Sequence, residues 1–308
     1  MNNMSTQSEK ENTALGPLVL SALFLIIVGV LVFVPKNDSL DTVSASVFDG
    51  FSFSHSAFED IVLQADVSYI AELETGKVVY QKNADIPRPL ASLTKIMTTY
   101  AALQTFPEDA TITIVQSDLA GAGDNGLVVG EIWELYDLLT FMLVTSSNDA
   151  AIAIGRVGNQ YLEESSFIEY MNNTAQELGL DTLVFSNTSG LDVDENENIA
   201  SAFGSAQDIS ILFSLAYKTY PNIFDTTKNK LLTLRSDVEV HNIENTNTSL
   251  DTMSGIIGSK TGYTRTAGGN LSVVTQINDI PHVVTVLQST REGRFSDVSE
   301  IIDVINNK

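Results

Sequence analysis

The chain has 308 residues, and its 16 Lys and Arg against 39 Asp and Glu give a net charge of −23, which argues against nucleic-acid binding. Because it has no cysteine, a disulfide framework, a thiolate zinc site and a cysteine nucleophile are excluded, while the redox compartment stays open. With 44% hydrophobic residues, the composition is that of a folded protein with one large or two small domains.

The first predicted element is an apolar segment near the N-terminus. Residues 14–34 carry no charge, and as a helix these 21 residues would span about 31 Å, close to the ~30 Å hydrocarbon core of a membrane. A cleavable signal peptide, the alternative, usually has an apolar run of only about 7–15 residues. We therefore predict a tail over residues 1–13, a single transmembrane anchor over 14–35 and a tether over 36–62. The few flanking charges do not define the orientation of this anchor.

Residues 63–308 are predicted to form one catalytic domain, with strands at both ends and helices between them. Residues 67–80 indicate a β-hairpin around Gly76. Apolar periodicity predicts helices over residues 93–104, 134–144, 149–157, 166–178, 206–217 and 296–305. Late strands are predicted over residues 270–277 and 282–288. This order favours an α+β fold, in which both ends of the domain build one antiparallel sheet and a helical subdomain is inserted.

The first motif that could carry chemistry is Ser92-Leu93-Thr94-Lys95, at the start of a predicted helix. A spacing of three residues places the hydroxyl and the amine on one helix face, one turn apart. The amine can accept the hydroxyl proton only when it is neutral, so its pKa must fall from about 10.4 to about 7–8 through desolvation or a second cation. Taken alone, the motif is explained better by an N-cap serine followed by a solvated lysine.

The second motif, Ser146-Ser147-Asn148, interrupts an apolar stretch that is otherwise continuous. Polar groups between two buried helices need partners, because an unpaired buried hydroxyl or amide costs about 1–3 kcal/mol. In the functional interpretation, Ser146 relays a proton and Asn148 holds a substrate amide. The alternative is an ordinary interhelical loop in which Ser147 or Asn148 caps the second helix.

The third motif is Lys260-Thr261-Gly262 on a predicted strand. A glycine at a strand edge lets a substrate backbone approach closely and add to the sheet. Lys260 is expected near the Ser92–Lys95 pair, and Thr261 is expected to bind a carboxylate. The alternative is a glycine turn with a surface lysine.

Together and in this order, the three motifs resemble the S-x-x-K, S-D-N and K-T-G signature of penicillin-binding proteins and β-lactamases. The residues around them resemble the D-alanyl-D-alanine carboxypeptidase family, peptidase family S11. This resemblance covers about residues 68–305. The stretches that carry it are residues 89–98, 147–151 and 260–264, with softer matches at 126–131, 187–191 and 245–247.

The resemblance implies a penicillin-binding-protein-like, serine β-lactamase-like fold and an acyl-transfer mechanism. Ser92 would attack the carbonyl between two D-alanines and form an acyl-enzyme, which water then releases. Lys95 would act as general base toward Ser92. Ser146 would help pass the proton to the departing D-alanine, and Asn148 would contact Lys95 or the peptide.

The resemblance also implies a substrate-binding set around the third motif. Lys260 would raise the local potential, and Thr261 would bind the terminal carboxylate. The backbone N–H groups of Ser92 and Tyr263 would form the oxyanion hole, a backbone role that tolerates Tyr263 where some relatives have His. Arg291 is a further, weaker carboxylate candidate.

The resemblance further implies a serine carboxypeptidase that acts on peptidoglycan stem peptides, is acylated by β-lactams and needs neither cofactor nor metal. Together with the anchor predicted from residues 14–34, it implies a membrane-anchored enzyme whose catalytic domain is extracytoplasmic. Three alternatives stay open: a D,D-endopeptidase, a β-lactamase and a non-catalytic sensor of penicillin or peptidoglycan. A class A β-lactamase is disfavoured because no E-x-x-L-N sequence lies between Asn148 and Lys260.

Two further patterns are interpreted as non-functional. Residues 121–126 satisfy G-x-G-x-x-G but do not precede a predicted helix, which argues against a dinucleotide site. The acidic stretch over residues 192–197 is interpreted as a solvated loop in preference to a Ca²⁺ site.

Overall fold

The computed structural model describes Phe58 and residues 61–120 and 126–307. The predicted tail, the predicted anchor and most of the predicted tether lie outside these residues, as does nearly all of the G-x-G-x-x-G pattern. Phe58, within the predicted tether, is buried and stacks on Tyr80 with 4.5 Å between the ring centroids. Among the described residues, no helix is long and apolar enough to cross a membrane.

Twelve strands and seven α-helices are found in the part of the chain that the structure describes. The strands are β1 (Val67–Glu72), β2 (Val78–Lys82), β3 (Arg88–Pro89), β4 (Thr111–Thr113), β5 (Ile132–Glu134), β6 (Val184–Phe185), β7 (Ala202–Gly204), β8 (Leu231–Arg235), β9 (Val240–Glu244), β10 (Ile256–Thr264), β11 (Gly268–Ile277) and β12 (Ile280–Ser289). The helices are α1 (Thr94–Thr105), α2 (Leu135–Thr145), α3 (Asn148–Tyr161), α4 (Phe167–Glu177), α5 (Ala206–Thr219), α6 (Pro221–Phe224) and α7 (Gly293–Asn306).

A five-stranded antiparallel sheet with the order β10-β11-β12-β1-β2 forms the centre of this part of the chain. The first and last strands of the domain meet within it, since β1 pairs with β12. This confirms the predicted α+β fold with one sheet built from both ends. Because β10 is at an edge, only one of its sides pairs with a described strand.

Helices cover both faces of this sheet. α7 packs on β11 and β12 from one side, and α5 packs on β1 and β12 from the other. The inner strands β11 and β12 are therefore almost entirely buried, as near-continuous apolar runs require.

α1 is the central helix of the helical part. It contacts α2, α3, α4 and α5, and its residues from Thr94 to Ala102 are all buried. A helix surrounded in this way buries its polar residues along with its apolar ones, so Lys95 has no route to bulk water along α1.

The predicted helices match the observed ones to within a few residues. The largest difference is α3, which extends to Tyr161 instead of ending near residue 157. Ser92 does not begin an α-helix: it lies in a 3₁₀ turn, Ala91–Leu93, and α1 starts at Thr94.

Candidate active site

Ser92 and Lys95 lie side by side, as their spacing predicts. Lys95 Nζ donates to Ser92 Oγ at 2.9 Å. The Lys95 side chain is completely buried, and this burial lowers its pKa to about 7. Near neutral pH the amine therefore exists in both forms, and its neutral form can accept the Ser92 proton.

Two further acceptors surround the Lys95 amine. Nζ donates to Asn148 Oδ1 at 2.8 Å and to the Ser189 carbonyl at 2.6 Å. A neutral amine has two N–H donors and one lone pair. When Asn148 and Ser189 accept the two N–H groups, the lone pair is left facing Ser92 Oγ.

The backbone next to Ser92 adopts an uncommon conformation. Ala91 has a φ of 49°, in the left-handed region that non-glycine residues rarely adopt. Gly190, from the loop that carries the Ser189 carbonyl, packs against this residue, and a Cβ on Gly190 would lie 1.9 Å from the Ala91 carbonyl oxygen. Only glycine allows this approach, so the loop and the serine turn fix each other.

A second hydroxyl–amine pair is formed by Ser146 and Lys260. Ser146 ends α2 with a φ of 60°, and Lys260 Nζ donates to its Oγ at 2.9 Å and to the Thr261 carbonyl at 2.9 Å. Lys260 is also buried, and its pKa is lowered well below the usual value by burial first and then by the positive charges of Lys95 and Arg294. Within residues 61–120 and 126–307, no ion pair joins Lys95 or Lys260 to a carboxylate.

The polar break between α2 and α3 has two roles. Ser147 caps α3 by accepting a hydrogen bond from the Ala150 N–H at 3.1 Å. Its neighbours Ser146 and Asn148 are then directed to the two buried amines. Capping therefore falls to Ser147, whereas Ser146 and Asn148 contact the buried amines of Lys260 and Lys95.

The edge strand β10 runs directly past Ser92. A Cβ on Gly262 would lie 2.9 Å from the Leu90 carbonyl oxygen and 3.3 Å from the Ser92 backbone nitrogen. From the neighbouring strand, the buried Asn270 side chain donates to the carbonyls of Pro89 at 2.9 Å and Leu90 at 3.1 Å. These contacts hold the serine turn against the Lys-Thr-Gly strand.

A cleft of about 430 Å³ opens above both hydroxyl–amine pairs. The predicted residues Ser92, Ser146, Asn148, Thr261, Tyr263 and Arg291 line it, and Lys95 and Lys260 lie beneath the two serines. Its other lining residues, to which the sequence assigned no role, are Thr246, Thr248, Glu292, Arg294 and Phe295.

Two arginines contribute positive charge to the cleft: Arg291 in the turn before α7 and Arg294 in the first turn of α7. Arg291 is exposed and stacks over the Tyr263 ring, with 5.1 Å between its guanidinium carbon and the ring centroid. Arg294 is buried and donates to the Gly262 carbonyl at 2.7 Å, and its Nε has no partner among the described residues. Burial, followed by the charge of Arg291, lowers the pKa of Arg294 to about 10. Arg294 was not predicted from the sequence. Its position three residues after Arg291, the predicted carboxylate candidate, is the feature that could have indicated it.

The acidic stretch over residues 192–197 makes contacts of its own. Asp192 accepts from the Thr264 hydroxyl at 3.0 Å, and Asp194 accepts from the Asn196 N–H at 2.8 Å. Over the described residues, no group of three or more His, Asp or Glu side chains is arranged to hold a metal ion.

Comparisons with known proteins agree with this geometry. A model of the D-alanyl-D-alanine carboxypeptidase family matches residues 54–291. The chain is 28% identical over 269 residues to the D-alanyl-D-alanine carboxypeptidase DacF of Bacillus subtilis, a match that covers 82% of this chain and 67% of the relative. It is 30% identical over 241 residues to a D-alanyl-D-alanine endopeptidase of Escherichia coli, covering 75% of this chain and 74% of the relative.

Solved structures show the same likeness. Penicillin-binding protein D2 of Listeria monocytogenes, in its ampicillin-bound form, aligns with a TM-score of 0.69 and 29% identity, covering 81% of this chain and 99% of that one. A mutant of the Streptomyces K15 DD-transpeptidase aligns with a TM-score of 0.71 and 28% identity, covering 80% and 100%. The chain therefore belongs to the D-alanyl-D-alanine carboxypeptidase family, peptidase family S11, and is a serine hydrolase with the α+β fold of penicillin-binding proteins.

Proposed function

We propose that this chain is a membrane-anchored serine carboxypeptidase that removes the terminal D-alanine from peptidoglycan stem peptides ending in D-Ala-D-Ala. The observation that carries the proposal is the pair of buried amines, each hydrogen-bonded to a serine hydroxyl that lines one cleft. The names of similar proteins, carboxypeptidases among them, support the choice of substrate.

In the acylation step, neutral Lys95 takes the Ser92 proton as Oγ bonds to the carbonyl carbon between the two D-alanines. The tetrahedral intermediate then breaks its C–N bond, and Ser146, next to the Lys260 amine, passes a proton to the departing D-alanine nitrogen. The acyl group stays on Ser92 until water hydrolyses the ester.

The backbone N–H groups of Ser92 and Tyr263 are the proposed oxyanion hole. The close packing of Gly262 on the Ser92 nitrogen supports this assignment, because it brings the two backbone segments together. An oxyanion-hole donor is typically worth about 3–4 kcal/mol of transition-state stabilisation.

The far end of the cleft is suited to a free carboxylate. Thr261 supplies a hydroxyl there, and Arg294 and Arg291 supply positive charge within a chain whose net charge is −23. A peptide ending in D-Ala-D-Ala offers such a carboxylate next to its scissile bond. The endopeptidase is the second candidate, because relatives at 28% and 30% identity carry that name.

The proposed location is the outer face of the cell membrane, with the catalytic domain tethered to a single N-terminal span. The uncharged run over residues 14–34 supports this part of the proposal. The predicted tether would let the domain reach the peptidoglycan layer.

The test is to incubate the full-length chain in detergent with a labelled penicillin, with a peptide ending in D-Ala-D-Ala and with a cross-linked muropeptide. Ser92→Ala is the test variant, and Ser214→Ala on α5 is the matched control. We expect D-alanine release and penicillin labelling, both lost only in Ser92→Ala. Labelling without release would favour a sensor, rapid penicillin destruction a β-lactamase, and preferential cleavage of the cross-link an endopeptidase.

A further inference from the structure

Two threonine hydroxyls touch each other in the wall of the cleft. Thr246 Oγ1 and Thr261 Oγ1 are 2.7 Å apart, and both residues line the cleft. Thr261 belongs to the Lys-Thr-Gly motif on β10, whereas Thr246 lies in the turn that follows β9.

The contact between the two threonine hydroxyls uses only one of their two protons. Each threonine hydroxyl carries one proton, so one proton bridges the two oxygens and the other needs an acceptor. The alternative acceptor near Thr246 is the Val144 carbonyl, at 3.5 Å from its Oγ1, which is the limit of a hydrogen bond. When Thr246 donates to Thr261 Oγ1, the Thr261 proton is therefore left as a donor for the cleft. In the opposite arrangement Thr261 donates to Thr246, and the Thr246 proton turns to the cleft or to this distant carbonyl.

The backbone fixes the position of Thr246. Its N–H donates to the Val144 carbonyl at 3.0 Å, two residues before Ser146. On one side of it, the Asn245 side chain donates to the carbonyls of Thr227 at 2.8 Å and Asn229 at 3.1 Å, and on the other the Asn247 N–H donates to Asn245 Oδ1 at 2.8 Å. These hydrogen bonds anchor the turn that places the Thr246 hydroxyl next to β10.

We propose that Thr246 is a positioning residue, which orients the Thr261 hydroxyl proton toward the terminal carboxylate of the substrate. The identity of the substrate in this inference rests on the function proposed above. A carboxylate has only acceptor atoms, so it requires a donor that is already turned toward the cleft. When Thr246 donates to Thr261 Oγ1, the proton of Thr261 has no other role than to meet that carboxylate.

The test compares two peptides that differ only at the terminus, one with a free carboxylate and one with a C-terminal amide. Thr246→Val keeps the shape of the side chain and removes the hydroxyl. We expect it to raise KM for the carboxylate peptide about fivefold, the loss of roughly one hydrogen bond, with kcat nearly unchanged. KM for the amide peptide should change less than about twofold, and Thr246→Ser should restore the wild-type values.

A double-mutant cycle separates positioning from a general loss of structure. If both hydroxyls act as one donor unit, Thr246→Val should add little to the effect of Thr261→Val. The matched control is Thr233→Val, the same change at an exposed residue of β8 that lies outside the cleft. If Thr246→Val does not fold, as judged by circular dichroism, Thr246→Ala takes its place in the cycle.

The rate of acylation by a labelled penicillin, which carries its own carboxylate, distinguishes this inference from the proposed function. If the wild type releases no D-alanine, the proposed function fails, but a slower acylation of Thr246→Val still supports the role of Thr246. Equal effects on the carboxylate and amide peptides, additive effects in the cycle, or a wild type inert to both reagents would overturn the inference.

Discussion

The chemistry of the site depends on how Lys95 is solvated. Its amine is buried between the central helix α1 and the segments that carry Ser92, Asn148 and Ser189. Three acceptors and no carboxylate are within hydrogen-bond distance of it among the described residues. Burial without a counter-ion destabilises the ammonium form, and this lowers the pKa to about 7. Lysine can therefore serve as a base at neutral pH without the help of a histidine.

The rate of acylation should follow the titration of Lys95. Below its pKa of about 7 the amine is protonated and cannot accept the Ser92 proton, so the rate constant should fall about tenfold per pH unit toward acid and level off above neutrality. Stopped-flow acylation by a labelled penicillin across this range measures the midpoint. A rate that does not change with pH, or that rises only near pH 10, would contradict the role of Lys95.

Arg294 and Arg291 should contribute unequally to substrate binding. Arg294 is buried and donates to Gly262 on β10, the strand that lines the cleft, whereas Arg291 is exposed to solvent and stacks on Tyr263. Because charge–charge contacts in a desolvated site are screened least, Arg294→Gln should raise KM for a carboxylate peptide by about tenfold or more. Arg291→Gln is the matched variant and should have the smaller effect. Equal increases in KM for Arg294→Gln and Arg291→Gln would show that burial does not determine how strongly each arginine contributes to substrate binding.

The sequence assigned roles to residues in or near its three main motifs and none to the other residues that contact the cleft or the buried amines. Ser92, Lys95, Ser146 and Lys260 stand at recognisable spacings, and the structure places them around one cleft. Ser189 and Thr246 lie in the softer matches at 187–191 and 245–247, but the sequence assigned them no role. Ser189 contacts Lys95 through its backbone carbonyl, and Thr246 and Arg294 gain their positions only when β9, β10 and α7 pack together. Contacts made by backbone atoms or across distant elements leave no local pattern.

At the scale of elements, the β8–β9 hairpin leads directly to Thr246 in the cleft. The buried carboxylate of Glu131 holds this hairpin against the rest of the domain through a group of hydrogen bonds, called the Glu131 cluster below. Glu131, 1% exposed, accepts from His241 Nε2 at 2.7 Å, the Val128 N–H at 3.0 Å and Trp133 Nε1 at 3.2 Å. The His241 ring also packs against Trp133, with 4.8 Å between centroids. One acidic side chain thus joins the hairpin to the segment that leads into α2.

Removal of this carboxylate should destabilise the domain. Glu131→Gln replaces an acceptor oxygen with a donor and leaves buried donors unpaired, which should lower the free energy of unfolding by about 3 kcal/mol or more. Urea denaturation followed by circular dichroism measures the change. Lys228→Gln, which breaks the exposed ion pair with Asp225 at 3.3 Å, should have almost no effect. A similar loss of unfolding free energy in Glu131→Gln and Lys228→Gln would mean that the Glu131 cluster does not stabilise the domain more than an exposed ion pair does.

The hairpin itself was absent from the sequence prediction, whereas the helices were found. α1, α2 and α3 have long apolar periods and a polar cap at Ser147, so their signal is strong. β8 and β9 are five residues each, half-exposed, and joined by a turn that lacks glycine. Strands of this kind are stabilised by tertiary contacts such as the Glu131 cluster and not by their own pattern.

At the scale of the whole molecule, the sheet explains how distant segments form one site. Ser92 and Ser146 belong to the helical part, whereas Lys260 is on an edge strand contributed by the C-terminal end. Pairing of β1 with β12 closes the domain and brings β10 against the 3₁₀ turn at Ser92. The order of the elements was sufficient to predict this closure, but not the contacts that it creates.

The net charge of −23 should be visible in the salt dependence of the reaction. The surface as a whole repels an anionic peptide, and added salt screens that repulsion. Raising NaCl from about 20 to about 200 mM should therefore increase kcat/KM for the carboxylate peptide. The peptide with a C-terminal amide, and otherwise neutral, is the control and should change little. A decrease with salt would show that the local arginines dominate the approach of the substrate.

The structure contains two serine–lysine pairs of similar geometry, so the identity of the acylated serine is the decisive question. Digestion with trypsin separates them: Ser92 lies in the peptide spanning residues 83–95, and Ser146 in the peptide spanning 96–156. The most direct measurement is therefore the mass of these two peptides after brief reaction with penicillin. We predict a stoichiometric adduct on residues 83–95 of the wild type. Lys95→Ala removes the tryptic site between the two peptides, and its joined peptide spanning residues 83–156 should carry no adduct. In the wild type, an adduct on residues 96–156, or no covalent adduct at all, would contradict this prediction.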